Sequence, residues 1–261
     1  MLATLLKNKF LILELVVRDV RSRYIGSILG LFWSVLNPLL QLLLYTVVFS
    51  IVLGIRFGEE DSVGRFAEYL FCALLPWAAF QESTTRSAHS FIEHANLIKK
   101  IRFPLETIPF SITGSACFHQ ILGTIVFSVV LLFNHSLCFD HIFWIIPIFI
   151  IQATMMFGVS LIIASLNVFF RDIAQVLGVL FMLLFWMTPI VYSKSRAPEA
   201  FQQLLNINPL THMVEAYRYS LLGSPVPSFW GVAYWTLFAV MIYWAGKLIL
   251  ARLRIGLVDL L

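Results

Sequence analysis

Six apolar runs, at residues 28–53, 67–90, 104–133, 142–169, 173–192 and 229–250, constrain this chain more than any other feature. A helix needs about 20 apolar residues to cross the hydrocarbon core of a bilayer, and each run has that length. The runs are continuous rather than alternating in segments of about ten, which argues against a barrel. Inside hydrocarbon every backbone group must be satisfied within the protein, so runs of this kind become helices. Composition agrees, with 60% hydrophobic residues and only 12% charged, where soluble domains carry about 25% charge. The expected fold is an all-α integral membrane protein with six transmembrane helices, forming one domain over 1–261. Residues 1–27 precede the spans, 28–192 hold spans one to five, 193–228 form a connecting segment, 229–250 are span six and 251–261 a tail.

Residues 1–27 do not read as a signal peptide. Their longest apolar stretch, Phe10 to Val17, contains Glu14 and is followed by no small-residue cleavage site, so the amino terminus is expected to be retained. Cys72, Cys117 and Cys138 are too scattered for a metal motif and read as packing residues.

Six spans put both termini on one side. Lys7, Lys9, Arg18, Arg21, Arg23, Lys99, Lys100, Arg102, Arg171, Lys247, Arg252 and Arg254 then share that side, against Arg56, Arg65, Lys194, Arg196 and Arg218 on the other. The positive-inside rule places the termini in the cytoplasm. Topological anchoring accounts for Arg18, Arg21 and Arg23 by itself, or together with contact to an anionic ligand; the sequence leaves both open.

The segments between spans carry more specific signals. Phe10, Leu13, Val17, Val20 and Tyr24 recur at helical spacing, and Glu14 and Arg18 are placed to pair, which predicts an amphipathic helix along the cytoplasmic membrane face. Gly26 frees the backbone to turn into the first span, where Pro38 lacks an amide hydrogen and predicts a kink, with Asn37 or Ser34 taking up freed backbone groups. Between spans two and three, Ser90-x-x-Glu93 reads as a capping box opening a short helix with Ile92, Leu97, Ile98 and Ile101 on its apolar face and Lys99 and Lys100 outward. Residues 193–228 contain two helical patterns, Pro198 to Asn206 and Leu210 to Leu222, the second ended by Gly223. That second helix, at about 20 Å, is too short to span and is expected to dip into the membrane and return, with Glu215 and Arg218 paired within it.

Several aromatic residues fall inside spans: Phe32, Trp33, Tyr45 and Phe49 in the first, Phe181, Phe185 and Trp186 in the fifth. Such rings offer flat faces to the CH faces of sugars, and equally serve ordinary packing. No G-x-x-x-x-G-K-[ST] loop occurs, so the chain shows no recognisable way to bind ATP. An ion-coupled secondary transporter would place ionisable groups near the midplane; the candidates are His119 with Gln120, and Glu82 with Arg86, the latter spaced as an ion pair. A membrane enzyme would need clustered acid, base or metal ligands, which the spacing does not provide.

In order along the chain, "RDVRSRYIGSILGLFWSVLNPLL", "NLIKKIRFP", "NVFFRD" and "NINPLTHMVEAYRYSLLG" resemble the permease subunits of polysaccharide-exporting ABC transporters, most closely the O-antigen exporters, with teichoic-acid and capsule exporters as relatives. The resemblance covers nearly the whole chain. It implies a bacterial inner-membrane homodimer with two copies of a separate cytoplasmic ATPase, which would hold ATP and Mg, and a polyprenyl diphosphate-linked glycan as substrate; no cofactor in this chain and no nucleic acid are implied. It further implies that 10–24 is an interface helix and 92–101 a coupling helix contacting the ATPase through Ile92, Asn96, Leu97, Ile98, Lys99 and Lys100, with Arg171 and Asp172 nearby. Pro209, Glu215, Tyr217 and Arg218 would belong to an external gate. Arg18, Arg21, Arg23, Gly26, Trp33, Asn37 and Pro38 would form the cytoplasmic mouth, and Phe32, Tyr45, Phe49, Phe181, Phe185 and Trp186 the aromatic lining of the path.

Overall fold

The computed structural model describes residues 9–23, 25–52, 65–100 and 104–260. Its helices are α1 (Lys9–Ser22), α2 (Trp33–Tyr45), α3 (Arg65–Glu93), α4 (Ala95–Lys100), α5 (Thr107–Phe133), α6 (Ile145–Phe169), α7 (Ile173–Trp186), α8 (Glu199–Ile207), α9 (Pro209–Leu222) and α10 (Phe229–Leu260). A 3-10 turn at Gly30–Phe32 leads into α2, and a π-helical stretch, Thr46–Val52, extends it. Among the described residues, three helices are long and apolar enough to cross a membrane, Thr107–Phe133, Phe139–Phe169 and Phe229–Leu257; Trp33–Val48 and Ile173–Trp186 are shorter apolar helices.

α3 has the length to cross at 29 residues, but its second half contains QESTTRSAHS. Neighbouring helices bury much of that polarity. Ser83, Thr84, Ser87 and Ser90 are buried, and the Ser83 hydroxyl lies 3.0 Å from both Thr113 on α5 and Ser160 on α6. Small hydroxyl side chains let helices approach closely while satisfying one another. The same logic governs α6 against α10, where glycines meet: a Cβ on Gly158 would stand 2.6 Å from the Tyr243 nitrogen, and one on Gly246 would stand 2.6 Å from the Gly158 carbonyl oxygen.

Packing sorts the helices into two ends. At one end Ile12, Phe91, Ile98, Leu105, Ile108, Leu161, Val168, Leu250 and Leu257 form a single apolar cluster, drawing together α1, α4, the starts of α5 and the ends of α3, α6 and α10. At the other, Asn134 donates to Glu68 at 2.7 Å, the Cys138 amide donates to the Leu221 carbonyl at 2.9 Å, and His141 stacks on Tyr219 at 4.3 Å.

Several expectations need correction. On α1 the buried residues are Ile12, Leu15 and Val20, whereas Phe10, Leu13 and Val17 are exposed, so the helix has one apolar face on protein and another turned outward. Glu14 and Arg18 do not pair; Tyr24 lies outside the described residues, as does Ile101. Ser90 does not cap a new helix: its hydroxyl donates to Ser87 within α3, which runs on to Glu93, and the backbone breaks at His94, whose carbonyl starts α4 by accepting from the Leu97 and Ile98 amides at 3.0 Å. The fifth apolar run is helical only to Trp186, because Asn208 takes the Met187 carbonyl at 2.9 Å and Arg218 takes those of Pro189 and Ile190. At 14 residues α7 is about 21 Å long. The sixth run overshoots its expected end, continuing as helix through the supposed tail to Leu260.

Other expectations hold closely. Gly26 has φ +81°, the left-handed conformation that a turn out of α1 needs, and Gly223 at φ +77° terminates α9. The paired short helices stand within a residue or so of their expected bounds. Asn208 caps α9 by accepting from the Leu210 amide at 3.0 Å, with Pro209 in the first helical position, where its missing amide hydrogen is no loss. α2 continues through Pro38, and its irregularity comes later, at the π-helical stretch.

Candidate functional site

Two cavities lie end to end along α2, where it faces α3. The first, about 230 Å³, is lined by Arg23, Ser34, Asn37, Pro38, Gln41, Glu82, His119 and Gln120 with small apolar neighbours from α3 and α5. The second, about 240 Å³, is lined by Gln41, Tyr45, Phe71, Trp77, Gln81 and Phe185. They share Gln41, Leu75 and Ala78. The result is a groove that begins polar near the α1 end and becomes aromatic further along.

The polar mouth is closed by a network of four charges. Arg86 donates to both Asp19 oxygens, at 2.9 and 2.5 Å, and stands 3.5 Å from Glu82; Arg23 donates to Glu82 and lies 3.7 Å from Asp19. Burial raises the Asp19 carboxyl, but the hydrogen bonds and charge of Arg86, with the charge of Arg23, outweigh that and hold it below the ordinary carboxylate range. The Glu82–Arg86 pair that the spacing suggested therefore forms, and Arg86 is in addition the bidentate partner of Asp19 on α1. Of the three mouth arginines, only Arg23 enters this network; Arg18 and Arg21 are exposed on α1. Trp33 is half-buried and lines neither cavity, while Asn37 and Pro38 line the first.

The aromatic half centres on Trp77, which sequence reasoning did not single out. Its ring meets Phe181 edge-on at 5.9 Å and Phe185 at 5.7 Å, and its indole N–H donates to Gln81 at 3.1 Å. Phe181 is buried by this packing, and Phe185 and Tyr45 line the groove. Phe32 and Trp186, 57% and 60% exposed, face away from the chain's own core. The Phe49 side chain lies outside the described residues, as does that of Lys100.

Behind the groove a buried polar cluster joins α5, α6 and α9. Gln120 and Gln152 exchange amide hydrogen bonds at 2.8 and 3.0 Å, Gln120 also donates to the Tyr217 hydroxyl at 2.9 Å, and Tyr217 donates to Gln152 at 2.5 Å. Tyr217 thus anchors α9 on α5 and α6. Next to it, Arg218 is 0% exposed and donates to the carbonyls of Pro189 at 2.7 Å, Ile190 at 2.8 Å and Tyr69 at 3.2 Å, with its guanidinium 3.4 Å from the Tyr69 ring centre. The expected Glu215–Arg218 pair does not form; Glu215 instead meets Lys194 at 3.1 Å. His119 uses its ring nitrogen on the Ser115 carbonyl at 2.8 Å.

At the α1 end, α4 buries Ile98, leaves Leu97 half-buried, and exposes Asn96 and Lys99, while Ile92 is half-buried at the end of α3. Arg171 and Asp172 are exposed at the turn between α6 and α7. That turn is fixed by Asn167, buried, which donates to the Ala88 carbonyl on α3 at 2.8 Å and accepts from the Ala174 amide at 3.1 Å. Asn167 was legible only as the first letter of NVFFRD; nothing in its spacing indicated a link between three helices.

The groove, polar and then aromatic, thus lies behind a short amphipathic helix, with a second short helix at the same end. Residues 11–222 match the ABC-2 type transporter family. The chain belongs to that family. Among curated ABC-2 relatives, an O-antigen export system permease protein of Klebsiella pneumoniae is 37% identical over 204 residues, 77% of this chain and 76% of its own length. One of the same description from Myxococcus xanthus is 27% identical over 94% of this chain and 92% of its own. More distant is a polysialic acid transport protein of Escherichia coli, 20% identical over 92% of each. The ABC-2 match ends with α9, so it takes in the groove, the charge network and the Arg218 site together.

Proposed function

We propose that this chain is the membrane permease of an ABC transporter that exports a polyprenyl diphosphate-linked polysaccharide of the O-antigen type across the bacterial inner membrane. The observation that carries the reading is the groove along α2, polar at its mouth and aromatic beyond. Sugars have hydroxyl edges and apolar CH faces, and flat rings accept such a polymer without fixing it to one register. Two protomers, paired across the faces that expose Phe32 and Trp186, would close the groove into a path. Energy would come from two copies of a cytoplasmic ATPase holding ATP and Mg, docked on α4 with its exposed Asn96 and Lys99 and on the neighbouring Arg171–Asp172 turn.

In this reading α2, α3, α5, α6, α7 and α10 are six spans, both termini are cytoplasmic, and α8 and α9 form an external re-entrant pair at the far end of the path. A single cysteine at Ser195 should react with an impermeant thiol reagent from outside, and one at Asn96 only after permeabilisation; the reverse pattern overturns the orientation. For function itself, the chain is purified from its native cells and its companions identified. An ABC ATPase and lipid-linked glycan should accompany it, and the chain alone should hydrolyse no ATP. Recovery with neither companion removes the proposal.

A further inference from the structure

Along α3 the side chains of Glu82, Arg86, His89 and Glu93 recur at helical spacing on one face, and Arg18, Asp19, Ser22 and Arg23 cluster on the facing part of α1. At one end of these facing stripes the charges meet, as Asp19–Arg86 and Arg23–Glu82. Beside the Asp19–Arg86 pair the stripes enclose a cavity of about 580 Å³, lined by that pair and by Arg18, Ser22, Thr85, His89, Glu93 and His94 among others. Arg18, His89 and Glu93 have no hydrogen-bond or ion-pair partner among the described residues. The hydroxyl hydrogens of Ser22 and Thr85 are already given to the Asp19 and Gln81 carbonyls, and His94 spends one ring nitrogen on Ser90. A guanidinium and a carboxylate without a direct partner among the described residues therefore line one polar cavity, with Arg86 near enough to act on Glu93 through its charge.

The position of α1 says what can reach it. Phe10, Leu13 and Val17 are exposed on that helix, and an amphipathic helix of this kind settles at the boundary between head groups and acyl chains. With α1 at that boundary, the cavity it lines would sit at head-group depth. We propose that it is a site for the head group of a zwitterionic phospholipid bearing a primary amine, phosphoethanolamine, with the phosphodiester on Arg18 and the ammonium on Glu93. Guanidinium and phosphate form charge-assisted bonds, and an ammonium has three donors for a carboxylate. A purely anionic head group would leave Glu93 beside uncompensated negative charge. A quaternary amine has no N–H to give. The bound lipid would brace α1 against α3 on the open side of the ion network. This inference rests on α1 lying at the membrane surface, not on which glycan is exported.

The test uses the purified chain with its ATPase, incubated with phosphatidylethanolamine, phosphatidylglycerol or phosphatidylcholine of matched chains, and with a polyprenyl phosphate; retained lipid is counted by native mass spectrometry. One charge-assisted bond is enough for roughly tenfold preference for the ethanolamine lipid over the glycerol one. Glu93→Gln should level that preference while phosphate binding persists, and Arg18→Gln should lose both lipids. Neither change removes a hydrogen bond of the Asp19–Arg86 pair. The comparison of ethanolamine with choline in the unaltered protein needs no variant, so a misfolded mutant cannot decide the matter. Equal retention of the three phospholipids, a preference unchanged in both variants, or retention of the polyprenyl phosphate alone would each overturn the site.

Discussion

Arg218 should tolerate methionine better than lysine. Its guanidinium is fully buried and holds three carbonyls, at 2.7, 2.8 and 3.2 Å, besides lying over the Tyr69 ring. Each hydrogen bond to a charged group contributes about 1.5–3 kcal/mol, and against their sum stands a desolvation cost of several kcal/mol for the buried ion. Methionine removes the bonds but also the buried charge, and keeps most of the apolar stem, so the net loss should be about 2–4 kcal/mol. Lysine keeps the charge and its desolvation, yet a single ammonium does not reproduce a planar fork spread over Tyr69, Pro189 and Ile190, so about 3–5 kcal/mol should be lost. The assay is thermal unfolding of the purified protein in one detergent, with wild type, Arg218→Met and Arg218→Lys run together. Lysine at wild-type stability, or clearly above methionine, would refute the reasoning, because the fork would then be dispensable.

Gln152→Leu should destabilise by about 1–2 kcal/mol, since Gln120 and the Tyr217 hydroxyl lose a partner, and Gln120→Leu in addition should cost less than the sum; a strictly additive double-mutant cycle would dismiss the cluster. Gly158→Leu should prevent α6 and α10 from packing, with the loss read as poor membrane accumulation and rapid proteolysis; normal accumulation would contradict the close crossing seen at Tyr243. The depressed Asp19 carboxyl contributes stability that is present above its unfolded value of about 4 and is lost as pH falls through its folded value, so attachment of α1 should weaken on the acid side. Limited proteolysis within α1 as a function of pH tests this: Asp19→Asn should be cleaved readily at all pH values, and an acid dependence surviving in that variant would assign it elsewhere. Ile98→Asp places a charge in the cluster under α4 and should abolish ATPase co-purification; unchanged association would take the docking role from α4.

The sequence was most informative where the physics is local. Apolar length located the helices, Asn208-Pro209 and Gly223 marked the ends of α9, and Gly26 marked the turn after α1. Boundaries failed where side chains from distant segments decide them. α7 stops at Trp186 because Asn208 and Arg218 claim the carbonyls that follow, and no window around Trp186 contains those residues. The site was half legible for the same reason. The aromatics of the fifth run were visible, but Trp77, which organises two of them, read as one more apolar residue of the second run. Spacing offered Glu82–Arg86 and Glu215–Arg218 as pairs; the first forms but shares Arg86 with Asp19, whereas the fold gives Arg218 to backbone carbonyls. Helical spacing reports which residues could meet within one helix, and burial then selects partners across helices.

The most direct test of the central claim is site-specific photo-crosslinking during export. A photoreactive amino acid is placed at Gln41, which lines both cavities of the groove, or at Val129, exposed on the outward face of α5. Cells making the polysaccharide are irradiated, and the chain is probed for covalently attached glycan. The account predicts glycan on the Gln41 variant, dependent on an active ATPase, and none on the Val129 variant. Glycan at Val129, or none at Gln41 while export proceeds, would contradict it.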